Sequence, residues 1–375
     1  MTHTTTTSVM DRRHDIDWLR ILAVLLLIPF HTARLFDIWE INYVKNGDLS
    51  EALSYLIGFI NQWHMPLFFL LAGASTWFAL GQRSAGGYVR ERFLRLFIPL
   101  LFGLLVIVPP QAYLARFQVA GYSASYLQFL PDYFTIRGDL TGYTGLFTPA
   151  HLWFILYLFV FSLVALPLFL FLKKDGRFIG WLANRCEKPG FIYLLAIPVG
   201  LSRALPDIGG KNPFYFFILF IYGFLLMGDT RFHDIVDHRK RFSLIMGMSL
   251  MAITLSLYAL QVPIVDNSLP DILFTALRTF DTWFWLIAIL GYGQKYLHFT
   301  NKLQPNANEA AYPFYILHQT VIIVIGYWVV QWDANLWLKF SVIALASFAG
   351  TLLLYDICVK RTNVTRVLFG MKLDK

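Results

Sequence analysis

Apolar positions along this chain recur in runs long enough to cross a hydrocarbon core, which takes about 20 residues at helical rise. Turn residues and polar stretches divide these runs into ten predicted spans: 18–36, 52–80, 93–112, 149–172, 191–204, 213–228, 242–262, 272–294, 310–331 and 335–358. A bilayer interior accepts helices or closed barrels, and runs of this length predict an all-α bundle rather than a barrel. The expected architecture is a polytopic integral membrane protein of about ten transmembrane helices, spans five and six being the shortest. It divides into an N-terminal tail (1–17), a single membrane domain (18–358) and a C-terminal tail (359–375). No internal repeat, low-complexity segment or appended soluble domain interrupts it.

Composition supports the pattern: 57% of residues are hydrophobic and 14% charged, where a soluble domain carries about a quarter charged. Charge asymmetry then sets the orientation, because Lys and Arg are retained on the cytoplasmic side. The two tails and the even-numbered connections, with Arg12 and Arg13 at the start, hold 21 of the 31 Lys and Arg residues. The odd-numbered connections hold 5: Lys45, Arg116, Arg137, Arg203 and Lys211. Both termini are therefore expected in the cytoplasm. The net charge of +8 reads as orientation and contact with anionic membrane lipid, not as nucleic-acid binding. The first apolar run is too long for a signal-peptide core and no small-residue cleavage site follows it, so it is expected to be retained. Cys186 and Cys358 lie beside basic, cytoplasmic segments, where thiols stay reduced, and no disulfide is expected.

Ionisable side chains within spans cost several kcal/mol unless they face a partner or water, so each is a candidate. Arg20 and His31 are eleven residues apart on span one. That is ~16 Å along a helix and ~20° from three whole turns, so they share a stripe without touching. Pro29 loosens the helix beside His31. A wall for one long ligand fits this arrangement; so does an arginine that snorkels to lipid phosphates above a histidine that bonds a neighbouring helix. Arg90, Arg92 and Arg95 lie in YVRERFLRLFIP, with Arg92 and Arg95 three apart on one face. Paired guanidinium groups grip phosphate, although a basic span end also anchors a helix without further purpose.

Three more histidines fall in or at spans: His64, His151 at the start of span four beside Trp153, and His318 in span nine. HExxH spacing is absent and no metal site is expected; for His64 the simplest reading is structural. Arg278 and Asp281, three apart in span eight, read as a self-neutralising bridge and, secondarily, as an acceptor-site candidate. The external connection 113–148 carries Tyr122, Tyr126, Asp132, Tyr133, Asp139 and Tyr143, a composition suited to stacking on a sugar or, equally, to an ordered lid with interfacial aromatics. No Gly-rich phosphate loop, nucleophilic-serine elbow or CxxC appears.

Five segments in order, DWLRILAVLLLIPFH, MPLFFLLAG, RERFLRLFIP, HLWFILYLFVF and YPFYILHQTVI, resemble the acyltransferase 3 family of membrane O-acyltransferases. IPFH, LAGAS and HLWF look most like its branch of periplasmic glucan succinyltransferases. The resemblance implies a ten-span fold in which cytoplasmic acyl-CoA gives its acyl group, acetyl or succinyl, to a hydroxyl of an extracytoplasmic glycan or related envelope acceptor, in the bacterial cytoplasmic membrane. It implies that Arg20, Arg92 and Arg95 bind the donor and that His31 is the essential histidine, a general base or the carrier of an acyl-histidine intermediate. His318, His151, Trp153, Arg278 and Asp281 then stand as supporting or acceptor-site residues. Acyl-CoA is a substrate, and no permanently bound cofactor is implied. Many relatives carry an additional C-terminal hydrolase-like domain, which is not expected here.

Two other functions fit parts of the sequence. Pro29, Pro66, Pro99, Pro167, Pro198 and Pro313 interrupt spans as in transporters, although the duplicated halves usual in such folds are not evident. A non-catalytic scaffold would use its buried polar groups for helix association alone.

Overall fold

The computed structural model describes residues 13–39, 41–117, 121–136 and 142–373; Arg12, Arg137 and Asp139 lie outside them. Among the described residues the chain is helical, with one isolated β-bridge between Ile208 and Lys211. Among the described residues seven helices are long and apolar enough to cross a membrane: α1 (His14–Ala33), α2 (Glu51–Gln82), α3 (Ala85–Arg116), α10 (Arg231–Ala259), α11 (Leu269–Tyr296), α12 (Leu303–Val329) and α13 (Leu336–Val359). The pair α5 (Ala150–Val164) and α6 (Leu166–Asp175), bent by 51°, makes an eighth such element when taken together as one broken span. Pro167 sits in the first turn of α6 and withholds the N–H that would carry one helix into the other. The predicted spans five and six correspond to two shorter apolar helices, α8 (Phe191–Ser202) and α9 (Pro213–Leu226). Short helices α4 (Tyr126–Tyr133), α7 (Arg177–Cys186) and α14 (Asn363–Leu368) complete the fold.

Several helices begin earlier than apolarity alone predicts. Asp15 and Asp17 occupy the first turn of α1, where carboxylates complement the positive end of the helix dipole. Ser84 accepts a hydrogen bond from the Gly87 N–H and starts α3 at Ala85. Arg90 and Arg92, predicted to lie in a connection, are therefore helical. Further along α3, Phe93–Phe97 and Gly103–Ile107 widen into π-helical turns on either side of Pro99, and Arg95 sits in the first of them. Neither cysteine is disulfide-bonded: Cys186 is buried and Cys358 exposed.

Helix α1 lies against α2 and α12, α10 pairs with α11, and α9 crosses α2. At the α2–α9 crossing the two helix backbones approach closely. A Cβ on Gly73 would collide with the Phe220 carbonyl, and one on Gly223 with the Leu70 carbonyl. Small residues let membrane helices approach to this distance, where dispersion replaces the hydrophobic drive that lipid does not supply. The described residues of the connection between α3 and α5 are packed: the Tyr133 hydroxyl is buried and donates to the Leu104 carbonyl at 3.1 Å, and Tyr113 donates to Ala124 at 2.9 Å. Burial raises the Tyr133 phenol well above its ordinary value, so it stays protonated as a donor. That ring is committed to packing and has no face for a sugar.

Replacing Gly223 by Val is expected to force α2 and α9 apart at a cost of about 1–3 kcal/mol, read as a lower unfolding temperature of the detergent-solubilised protein. The neighbouring exposed Phe214→Leu should leave that temperature nearly unchanged.

Candidate functional site

A cavity of about 710 Å³ opens among α1, α2, α3, α5 and α12, and its wall is completed by the segment after α14. One end is basic and hydrophilic, formed by Arg20, Arg92, Arg95, Ser75, Asn308 and Arg366; Val24, Phe68, Leu71, Phe154, Leu158 and Tyr315 line the rest. Arg20 and Val24 sit four apart on α1, and the same stripe continues through buried Leu27 to His31.

Arg20 is held from three sides. It donates to Ser75 Oγ at 2.6 Å and to Asn308 Oδ1 at 3.3 Å, and lies 3.4 Å from Asp17 Oδ1. On α3, Glu91 organises the arginines, with Arg83 at 3.2 Å, Arg95 at 3.6 Å and Arg92 at 3.8 Å from its carboxylate. The Arg92 guanidinium also stacks 4.6 Å from the centre of the buried Tyr88 ring. One carboxylate among three guanidiniums leaves positive charge for an anion, which is what grips phosphate. The Tyr312 hydroxyl, buried at the same wall, has no hydrogen-bond partner among the described residues.

Three of the predicted histidines converge. The His318 ring lies 5.1 Å from His31 and 5.1 Å from His151, centre to centre. His318 Nδ1 bonds the Tyr315 carbonyl at 2.6 Å, and His151 Nε2 bonds the Ile316 carbonyl at 2.9 Å. A carbonyl only accepts, so each of those nitrogens carries the proton and the opposite nitrogen presents a lone pair. Those opposite atoms, His318 Nε2 and His151 Nδ1, are buried and without a partner among the described residues. Orphaned acceptors of this kind are uncommon in folded proteins and point to a missing donor. His31 is more accessible than its two neighbours. Just beyond it, Arg34 pairs with the buried Asp37 at 3.0 Å, which Lys45 also meets at 3.1 Å, fastening the chain after α1 beside the cluster.

Tyr315 joins the two regions. Its ring lines the cavity, its hydroxyl donates to the His151 carbonyl and its own carbonyl accepts from His318. Phe68 and Phe154 pack beside it, ring centres 6.5 and 5.8 Å away, and Phe68 stands 5.0 Å from His64. His64 bonds the Ala23 carbonyl at 2.7 Å and ties α2 to α1.

The remaining candidates lie elsewhere. Trp153 packs on Phe216, Tyr157 and Phe69 with centres 5.1 to 5.9 Å away, outside the histidine cluster. The expected Arg278–Asp281 bridge does not form. Arg278 Nε donates to Gln62 Oε1 at 3.1 Å, while Gln62 Nε2 donates to the Arg278 carbonyl and to Thr282. This exchange across α2 and α11 draws the guanidinium away, and the buried Asp281 carboxylate has no hydrogen-bond partner among the described residues. Among those residues no group of three or more His, Cys, Asp or Glu has the geometry to hold a metal.

Sequence reasoning missed Asn308, Tyr312, Tyr315 and the C-terminal segment. Tyr315, three residues before His318 on α12, was within reach of the helical repeat; Asn308 and Arg366 carry no local signal. Arg366 is buried and donates to Glu309 at 2.6 Å, to the Lys372 carbonyl at 2.7 Å and to the Lys360 carbonyl at 3.3 Å. Gly370 has φ +67°, and a Cβ there would stand 2.6 Å from the Tyr312 ring and 2.7 Å from the Arg95 carbonyl. Within the predicted tail, glycine is thus needed both for the turn and for the close approach to the cavity wall.

A family model described as an acyltransferase domain matches residues 13–356. Comparison with curated proteins and with solved structures returns no match. The matched region contains every predicted site residue and all three clustered histidines, and it favours an enzyme over a transporter.

Gly370→Val is expected to lift the segment after α14 off Tyr312 and Arg95. Hydrogen–deuterium exchange should then be faster across 366–373, with α10 and α11 unaffected.

Proposed function

Because the chain belongs to the acyltransferase 3 family, and is therefore a membrane enzyme that transfers acyl groups other than amino-acyl groups, we propose that it moves an acyl group from cytoplasmic acyl-CoA to a hydroxyl of an extracytoplasmic glycan or related envelope acceptor. The observation that carries this reading is the shared wall: a basic cavity and a three-histidine cluster meet at Tyr315. Coenzyme A is anionic at its nucleotide end and reactive at the far end of its pantetheine arm, and the site has the same polarity. Arg20, Arg92 and Arg95 take the phosphates, the apolar stretch along Val24 and Leu71 takes the arm, and the thioester lies toward His31.

In the chemical step the acceptor hydroxyl attacks the thioester carbonyl while His31 removes its proton. The tetrahedral intermediate collapses with loss of the coenzyme A thiolate, which takes the proton from the imidazolium. The ester and free coenzyme A leave, and His31 is neutral again. His318 and His151, fixed by backbone carbonyls, offer bare nitrogens that accept hydrogen bonds from the acceptor's hydroxyls and aim the attacking one. The excess of Lys and Arg in the tails and even-numbered connections supports placing the arginine end in the cytoplasm, and the short reach of the bundle lets donor and acceptor meet inside it. Acetyl and succinyl are the acyl groups proposed, and the bacterial cytoplasmic membrane is the proposed location.

Purified protein supplied with labelled acetyl-CoA or succinyl-CoA and a panel of glycans is expected to transfer label to one of them. His31→Ala should lower the rate by about 10²–10⁴-fold with the protein still folded, and full activity in that variant would overturn the mechanism. Arg92→Ala and Arg95→Ala should each raise the donor KM about 10- to 100-fold with less change in kcat. Rapid quenching followed by mass spectrometry separates direct transfer, which leaves His31 unmodified, from an acyl-histidine intermediate.

A further inference from the structure

The connection between α6 and α8 is basic and carries its own helix, α7. Residues 174–188 hold four cations, Lys174, Arg177, Arg185 and Lys188, against two acids, Asp175 and Glu187. Gly176 and Gly190 take φ of +65° and +82° on either side of α7, so the chain turns sharply out of α6 and again before α8. At about 100° per residue α7 then shows three faces. Ile179, Leu182, Ala183 and Cys186 are buried against the bundle. Phe178, Trp181 and Arg185, at i, i+3 and i+7, form a second stripe and are exposed. Its two rings stack with centres 5.7 Å apart, and the Arg185 guanidinium lies 5.7 Å from the Trp181 ring centre. Arg177 and Asn184, with Lys188 just past the helix, lie on the third, polar side. The helix is firmly seated. Arg231, at the start of α10, donates to the Gly180 carbonyl at 3.2 Å and to Asn184 Oδ1, and a Cβ on Gly228 would stand 2.8 Å from Ile179.

We propose that α7 lies in the plane of the cytoplasmic surface of the bilayer, where Arg185, Lys174 and Lys188 around the Phe178–Trp181 pair hold the headgroup of an anionic phospholipid. This rests on the charge asymmetry that puts the connection on the cytoplasmic side, and not on the acyl-CoA reading. Phe178 and Trp181 are 46% and 48% exposed. In water a fixed aromatic pair of this kind is a liability, whereas at headgroup depth the rings reach the acyl boundary while the cations meet phosphate. Exposed apolar positions continue along the chain on both sides, with Phe171 in α6 and Leu194 in α8. Arg177 is paired with Asp175 at 3.1 Å. Lys174, Arg185 and Lys188 form no ion pair among the described residues. Their charge favours an anionic over a zwitterionic headgroup, because Coulomb attraction adds to the burial of the rings. An acidic segment of another protein supplies the charge without the acyl chains that the two rings call for.

Two measurements on the full-length protein test this. In native mass spectrometry with added phosphatidylglycerol or phosphatidylcholine, Arg185→Gln/Lys188→Gln should bind phosphatidylglycerol about 10-fold more weakly at one site, with phosphatidylcholine binding and unfolding temperature unchanged. Arg185→Lys/Lys188→Arg, which keeps the charge, should bind as the wild type does. In nanodiscs, the emission of Trp181, taken as the difference from a Trp181→Phe variant, should be quenched by phospholipid brominated near the headgroup end of its chains and not by phospholipid brominated near their tips. Unchanged phosphatidylglycerol binding in the glutamine variant, or an unquenched Trp181, would overturn the proposal. If a polyglutamate peptide binds the wild type but not the glutamine variant while Trp181 stays unquenched, the face serves an acidic protein and the proposal fails. No readout depends on acyl-CoA, so failure here leaves the donor reading as it stands.

Discussion

The interior of a bilayer has no water to spare for a guanidinium or an imidazole, and a polar group placed there is stabilised when another part of the protein meets it. In this bundle that constraint decides how the site is built. Arg20 is met by Ser75, Asn308 and Asp17, which come from α2, α12 and its own first turn. His64 is met by the α1 backbone, and Gln62 and Arg278 satisfy each other across α2 and α11. The helices are joined where polar groups are paired. Against that background, the bare nitrogens of His318 and His151 mark where the protein leaves a place for something else.

The same requirement shapes the helices that deliver these groups. The π-helical turn Phe93–Phe97 of α3 carries Arg95, Arg92 lies just before it, and both line the cavity. The kink between α5 and α6 lets α5 begin with His151 beside α12 while α6 takes a different direction, 51° away. Close contact of Gly73 and Gly223 draws α9 onto α2, which keeps Phe68 and Phe69 in the aromatic wall next to Phe154.

Much of this was legible in the chain. Run lengths located all ten apolar segments among the described residues, because hydropathy and helical rise are properties of a stretch and need no partner. Arg20, His31, Arg92 and Arg95 stood out because ionisable residues in apolar runs are few. What could not be read depends on partners distant in sequence. The meeting of His31, His151 and His318 needs three helices placed together. Arg278 was assigned to Asp281, its neighbour on the helix, when Gln62, 216 residues away, held the stronger claim. Spans five and six were drawn as the shortest from their composition, and the folded segments, Phe191–Ser202 and Pro213–Leu226, are likewise too short for an upright crossing of a typical core. The role of the C-terminal segment was hidden for a simpler reason: polar residues beyond the last span look alike whether they drift in water or close a cavity.

Arg20 and His31 ride on one uninterrupted helix, and this turns α1 into a ruler between the two ends of the site. Each residue of α1 adds about 1.5 Å and turns the following side chain by about 100°. A substitution between them changes a contact, whereas a single insertion or deletion swings one of the pair toward lipid and spoils the other's distance. Descent with modification in this stretch is therefore confined to changes of identity at constant length. The loops between helices, which carry no such gauge, are where this chain is free to vary in size.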